Sequence, residues 1–292
     1  MSYLENSIGL FFGKLQRIIY FFIILFIVIF IIPINSFAQL ETGSFEFEGI
    51  LREYKVFLPQ NYNSATNMPV VFNLHGDTRD HQWAMDYTQM NAVADSAGFI
   101  VVYPNGVIVN YRTWSFGTSN EVNDVGFINA LIDTLDRHYN IDMERIYVCG
   151  FSSGGMMSCK LACQLSQRIT AVATVAGGIV EGVANNSDTY HPMPFLSIHG
   201  TEDSYGGVPS SVPSSNIWGP EQTVKFWANF NFCSEADTIS IADLDTSDRC
   251  TVEKITYENG ILNSHVLFYK IIGGGHTWPD AGFDFWIGGN TT

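Results

Sequence analysis

Ile146-Tyr-Val-Cys-Gly-Phe-Ser-Ser-Gly-Gly-Met-Met-Ser-Cys159 is the stretch that decides the fold. It opens as a short apolar run, breaks at small residues and continues with helical spacing. The break, Gly150-Phe151-Ser152-Ser153-Gly154, reads G-x-S-x-G. That pattern is needed where a serine sits on a tight strand-to-helix turn, because a Cβ two residues to either side would collide with neighbouring backbone. The following helix then aims its first N–H groups at developing negative charge. Ser152 has glycine at both −2 and +2, whereas Ser153 has Phe151 at −2, so the register falls on Ser152. Alone the motif also fits an ordinary glycine-rich turn, and the rest of the chain must decide.

Upstream, strand-like segments alternate with helical ones. Phe45 to Leu58 is β-like and stops at Pro59. Met68 to Leu74 is an apolar strand ending in His75-Gly76, and helical spacing runs from about Trp83 to Ala97 with Gly98 as its C-cap. Phe99 to Tyr103 is a continuous apolar run, the mark of a strand buried on both faces. A polar loop, 107–123, carries Tyr111, Trp114 and Phe116, and Asn123 or Asp124 then caps a helix whose apolar face includes Ile128, Leu131 and Leu135. Downstream come a strand at Ile169–Ala176, a strand from Pro194 ending in Thr201-Glu-Asp203, a helix opening at Pro220, and paired strands at 252–257 and 262–272. Such alternation predicts an α/β fold: a mostly parallel central sheet with helices on both faces.

Three reactive residue types stand after strands. Ser152 follows one, Asp203 a later one and His276 the last, 51 and 73 residues apart. C-terminal strand ends meet on one edge of a parallel sheet, so such separations can converge. In that reading Ser152 is the nucleophile, His276 the general base and Asp203 the group that orients the imidazole. Glu202 is the rival acid. Of the other histidines, His75 and His199 precede glycines at strand ends and are expected to orient loops, and His138 lies on a helix. Asp237, Asp243, Asp245 and Asp248 read as a solvated loop. Backbone N–H groups of Ser153 and Asp77 are the expected oxyanion hole. Trp278 and Trp114 are candidates for the substrate cleft, with core packing as the alternative for each. No metal-ligand spacing is present, so neither metal nor cofactor is expected.

The N-terminus carries a second signal. Ile18–Ile32 is an uncharged apolar run of 15 residues, preceded by Lys14 and Arg17 and followed by Pro33 and Ser36-Phe37-Ala38. This is the layout of a secretory signal peptide, 1–38, with a catalytic domain over 39–292. A spanning helix usually needs about 20 apolar residues. Removing the leader takes away Glu5, Lys14 and Arg17 and leaves 12 basic and 28 acidic residues, a formal charge of −16. So acidic a protein is a poor partner for nucleic acid or anionic membrane and suits neutral extracellular material. The five cysteines are odd in number; Cys233 and Cys250 flank a polar excursion and are the expected disulfide.

The chain resembles the secreted esterases grouped with extracellular poly(3-hydroxybutyrate) depolymerases and with the feruloyl and acetylxylan esterases of carbohydrate esterase family 1. The resemblance rests on Pro69–Gly76, Tyr103-Pro-Asn-Gly106, Asn123-Asp-Val-Gly-Phe127, Gly150–Met156, His199-Gly-Thr-Glu-Asp203 and Gly273-Gly-Gly-His-Thr-Trp-Pro279, together spanning about residues 45–290. It implies an α/β-hydrolase fold, the chain order Ser, Asp, His, and ester hydrolysis without a cofactor on a polymer or oligomer. Feruloyl or acetyl esters of plant polysaccharide come first, poly(3-hydroxybutyrate) second, and a serine peptidase or an inactive relic are the remaining readings. Ser153 stands where the family often has Asn, and the run after Asp203 lacks the usual Val/Pro stretch. Only 16 residues follow His276, where the resemblance implies a final helix, so a truncated C-terminus is expected.

Overall fold

A computed structural model describes residue 20 and residues 38–118, 122–187, 189, 191–204, 216–244 and 246–281. The expected leader lies outside these residues except for Tyr20 and Ala38, and so does the tail 282–292. No helix among the described residues is long and apolar enough to cross a membrane.

Apolar runs in the middle of the chain become strands buried on both faces. In β2 (Ile50–Leu58), Val56 and Leu58 enter the main core while Phe57 enters a second one. In β4 (Ile100–Pro104), Ile100 and Val102 face the first core, and Val101 and Tyr103 the second. Period-two alternation puts neighbours on opposite faces, so a strand covered on both sides must be apolar throughout. On the second face stand α1 (His81–Thr88) and α2 (Met90–Ala97), through Ala84 and Ala94. The larger core holds α3 (Asp124–His138), α4 (Ser153–Gln164) and α6 (Pro220–Phe230). A short α5 spans Glu181–Asn185.

The remaining strands are β1 (Gln39–Phe47), β3 (Met68–Leu74), β7 (Ile141–Phe151), β8 (Ala171–Val175), β9 (Phe195–Gly200), β10 (Glu235–Ile241), β11 (Thr251–Glu258) and β12 (Val266–Ile272), with a small hairpin of β5 (Val107–Ile108) and β6 (Arg112–Thr113). Ten strands join in the order β1-β2-β4-β3-β7-β8-β9-β12-β11-β10. The six from β4 to β12 run parallel, and antiparallel strands flank them at both ends. All C-terminal ends of the parallel block share one edge. This is the predicted α/β fold.

Four details depart from the sequence reading. The strand read at 262–272 starts only at Val266, because Ile261–Asn263 form a 3-10 turn with Leu262 at a left-handed φ of 54°. The segment 83–97 is two helices, because Gln89 adopts a left-handed φ of 51°. Residues 107–123, read as a loop, carry the β5/β6 hairpin. The excursion after Cys233 is an edge strand, β10, rather than a solvated loop; Asp237 lies on it, Asp243 and Asp248 lie beyond it, and Asp245 is outside the described residues.

The hairpin also overturns the disulfide. Glu235 pairs with Glu258, and Ile241 with Val252. Cys233 and Cys250 therefore sit at opposite ends of a seven-residue strand, roughly 20 Å apart at about 3.4 Å per residue. A disulfide needs Cα atoms within about 7 Å. All five cysteines are free thiols, and all five are expected to react with a thiol reagent in denatured, unreduced protein; fewer would refute this arrangement.

One buried ion pair ties the sheet to the loops on the site edge. Arg52 in β2 donates to Asp124 Oδ1 at 2.6 Å and to the Asn105 carbonyl at 3.0 Å. Its guanidinium lies 3.7 Å from the Phe127 ring centre. Asp124 Oδ2 accepts from the Ser115 N–H at 2.7 Å, while Asn123 caps α3 by accepting from Gly126 N–H at 2.9 Å. Truncating one partner leaves a buried charge uncompensated. Arg52→Leu is expected to lower the unfolding free energy by about 3–5 kcal/mol, read from urea denaturation; a loss below about 1 kcal/mol would show the pair to be dispensable.

Candidate active site

The turn between β7 and α4 holds Ser152 at φ 55° and ψ −119°, a conformation that costs a non-glycine residue about 1–3 kcal/mol. Its surroundings enforce that strain. Ser152 N–H donates to the Val175 carbonyl at 2.9 Å, and its own carbonyl accepts from Met156 N–H at 3.0 Å. A Cβ on Gly150 would lie 2.3 Å from the Gly154 carbonyl carbon, and one on Gly154 would lie 2.2 Å from the Leu74 carbonyl oxygen. Both motif glycines are thus required by backbone packing. Ser153 is buried at the N-terminus of α4.

Asp203 and His276 approach from two neighbouring parallel strands, β9 and β12. Their turns are stitched together. Thr201 N–H donates to the Ile271 carbonyl at 2.9 Å, Glu202 N–H to the Gly274 carbonyl at 2.9 Å, and Gly273 N–H to Thr201 Oγ1 at 3.0 Å. Gly273 turns the chain at φ 83°, and a Cβ on Gly200 would lie 2.1 Å from the Gly274 oxygen. The outcome is His276 Nδ1 at 2.8 Å from Asp203 Oδ2, both residues buried. Glu202, the rival acid, is exposed. Burial alone would raise the Asp203 carboxyl; its contacts with His199 and His276 outweigh that and hold it well below the usual carboxylate range.

An aromatic row leads to the imidazole. Trp83 stacks on Tyr87 at 4.3 Å, Tyr87 meets Phe151 edge-on at 5.4 Å, and Phe151 lies 4.9 Å from the His276 ring. Half-buried Trp278 joins this cluster and donates its backbone N–H to the Tyr87 hydroxyl at 3.1 Å. Phe151 directly precedes Ser152, so serine, imidazole and Trp278 share one edge of the sheet. Trp114 does not belong there. It is 2% exposed and donates Nε1–H to the His75 carbonyl at 2.9 Å, which makes it core and removes it from the cleft.

His75 organises the loop after β3. Its Nδ1 lies 2.7 Å from the Gly76 carbonyl, and its Nε2 accepts from Gly106 N–H at 2.9 Å. These partners fix a neutral ring with the proton on Nδ1. A trans peptide points its C=O and N–H in opposite directions. Drawing the Gly76 carbonyl toward His75 turns the Asp77 N–H away from it. A Cβ on Gly76 would lie 3.5 Å from Ser152 Cβ, so this loop runs alongside the serine. The Asp77 carboxylate accepts a hydrogen bond from Thr113 Oγ1.

Sequence reasoning missed the part played by His199. Its Nε2 lies 2.9 Å from Asp203 Oδ2, the oxygen that also faces His276. The four-residue spacing in His199-Gly-Thr-Glu-Asp203 was visible, but its meaning depends on the turn that follows β9.

A parallel sheet flanked by helices, with a strained serine at the elbow and an Asp–His pair on the same edge, defines an α/β-hydrolase fold. The acetyl xylan esterase from Aspergillus awamori shares it, with a TM-score of 0.61 at 16% identity, over 82% of this chain and 94% of that one. The family model described as esterase PHB depolymerase matches residues 52–207, more than half of the chain, and the chain belongs to that family. It is 36% identical over 157 residues to the bifunctional acetylxylan esterase/xylanase XynS20E of Neocallimastix patriciarum, covering 53% of this chain and 22% of that protein. It is 28% identical over 178 residues to feruloyl esterase C of Emericella nidulans, covering 57% and 60%. The chain therefore spans less than two thirds of either relative.

Burial pulls the His75 pKa down from 6.5 to about 4. In the unfolded chain the group returns to 6.5. Between those values the unfolded state binds a proton that the folded state does not, so stability falls as pH drops from 6.5 toward 4 and this contribution levels off below. The drop amounts to roughly 3 kcal/mol. The difference in unfolding free energy between wild type and His75→Gln should shrink across that window. A difference independent of pH would contradict the neutral, buried ring.

Proposed function

We propose that the chain is a serine carboxylic ester hydrolase acting through Ser152, His276 and Asp203. The observation that carries this is the buried 2.8 Å contact between His276 Nδ1 and Asp203 Oδ2, formed on the edge where Ser152 is held at positive φ. In this reading Ser152 Oγ attacks the ester carbonyl and His276 takes its proton at Nε2. Asp203 accepts from Nδ1–H, fixes the tautomer and stabilises the imidazolium. The backbone N–H groups of Ser153 and Asp77 receive the oxyanion, helped by the positive end of α4. His276 returns the proton to the leaving alcohol, and water then releases the acyl group from Ser152.

The substrate we infer is a feruloyl or acetyl ester on a neutral plant polysaccharide, ahead of poly(3-hydroxybutyrate) or its oligomers. The chain's similarity to relatives named as acetylxylan and feruloyl esterases supports that order. So does a groove of about 620 Å3 lined by Phe116, Glu181, Asn185 and Asn216. Phe116 is kept at its rim by Lys160, whose Nζ donates to the carbonyls of Ser115 at 2.6 Å and Gly117 at 2.8 Å. Gly177 packs against the Ser152 carbonyl and leads within three residues into the groove wall at Val180. An aromatic face beside amide side chains suits sugar rings. The acidic charge disfavours polyanions. Residues 1–38 we read as an export signal and 39–292 as the catalytic domain of a secreted enzyme, extracellular or periplasmic.

Ser152→Ala is expected to lower kcat on methyl ferulate or acetylated xylan by a factor on the order of 10⁶, with an unchanged circular dichroism spectrum. Activity near wild type would sink the nucleophile assignment. A clear kcat/KM preference for hydroxybutyrate oligomers would reverse the substrate order and leave the esterase reading standing.

A further inference from the structure

We propose that His199 is a positioning residue for the acid of the site: its Nε2–H is a second donor that fixes Asp203 Oδ2 toward His276. This rests on the triad reading given above. Two imidazoles converge on one carboxylate oxygen, His276 Nδ1 at 2.8 Å and His199 Nε2 at 2.9 Å. All three residues are at least nine-tenths buried. The His199 approach falls outside hydrogen-bond geometry, and among the described residues neither of its ring nitrogens has a hydrogen-bond partner. A lone pair on Nε2 facing the carboxylate would be repulsive, so the proton belongs on Nε2 and the close contact is charge-assisted.

The placement comes from the fold. His199 is the penultimate residue of β9 and pairs in register with Lys270 of β12. The Gly200 turn then brings Asp203 back over the imidazole. Behind the ring is a cavity of about 200 Å3, lined also by Thr201, Pro220, Glu221, Phe268 and Lys270. Lys270 and Glu221 pair across it at 3.2 Å. This cavity leaves His199 without tight packing on that side, so the contact with Asp203 sets the ring's orientation.

A carboxylate buried this deeply needs more than one donor to stay ionised and aimed. Rotation of Asp203 about its Cβ–Cγ bond would exchange its oxygens and misalign the imidazole. With His199 in place, the rotation breaks a second contact. His199 touches neither the attacking oxygen nor the ester, so its influence passes through Asp203 and should fall on turnover rather than on substrate binding.

Asparagine and glutamine substitutions separate this role from packing. Glutamine carries its amide N–H about as far from the backbone as imidazole Nε2, and asparagine only as far as Nδ1. His199→Gln should keep kcat within about threefold of wild type. His199→Asn should lose about 10–100-fold in kcat with KM within about twofold, the cost of a small misplacement. The downfield proton resonance of the His276–Asp203 bond should persist in the Gln variant and shift or broaden in the Asn variant. Equal kcat in the two variants would overturn the proposal, and so would an unaltered resonance beside a lowered kcat. Ser152→Ala is run alongside. Full activity there would sink the triad reading itself, whereas an inactive Ser152→Ala with a fully active His199→Asn would sink the His199 role alone.

Discussion

The site edge depends on how closely three backbones approach one another at the elbow. Gly154 presses on the Leu74 carbonyl of β3, Gly150 presses on Gly154 across the turn, and Gly177 after β8 presses on Ser152. No side chain fits into these contacts. Because they are backbone contacts, they do not relax by rotamer changes, and Ser152 has no less strained conformation open to it while the sheet is intact. Sheet packing thereby maintains a local cost of about 1–3 kcal/mol at the residue proposed above as the nucleophile.

The same logic repeats at Asp203 and His276 with hydrogen bonds as the fastener. Thr201, Glu202 and Gly273 bind the turn after β9 to the turn after β12, and this crosslink fixes the distance between Asp203 and His276. Electrostatics then works within a rigid frame. Desolvation pushes the carboxyl up, two imidazoles pull it down, and the second effect prevails. His75 shows the opposite balance: burial outweighs the opposing pull of the Gly76 carbonyl and of the Asp80 carboxylate, and the ring is kept neutral. His75 and His199, at the ends of two parallel strands, thus hold different charge environments because only His199 has a carboxylate in contact with its ring.

Much of this was legible in the sequence, for identifiable reasons. Continuous apolar runs betrayed the doubly covered strands, and paired glycines marked the elbow because a steric requirement is local. The parallel block and the edge positions of Ser152, Asp203 and His276 follow from those two signals. What could not be read depends on long-range pairing. β10 escaped notice because an edge strand is held by ladder hydrogen bonds to β11 rather than by buried side chains, so Glu235-Ala-Asp-Thr-Ile-Ser-Ile241 carries little apolar pattern. With β10 unseen, Cys233 and Cys250 looked like the two ends of a closed loop. Trp114 looked available because it sits in a polar stretch, yet the β5/β6 hairpin folds it under His75. The meaning of His199 required knowing that the turn after β9 doubles back.

The strand order has a temporal side. The elbow and the loop beside it are complete once β3, β4, β7 and β8 have paired and the β5/β6 hairpin has folded against that loop. The acid–base contact joins residues 73 apart and requires β12 to dock onto β9 after an intervening helix and two antiparallel strands. Contacts of such separation are slow to form and tend to close late. A folding chain would therefore pass through forms with the serine elbow already built and no imidazole yet seated beside it. On the mechanism proposed above, such half-finished molecules hold an inert serine, and reactivity emerges with the final closure of the sheet.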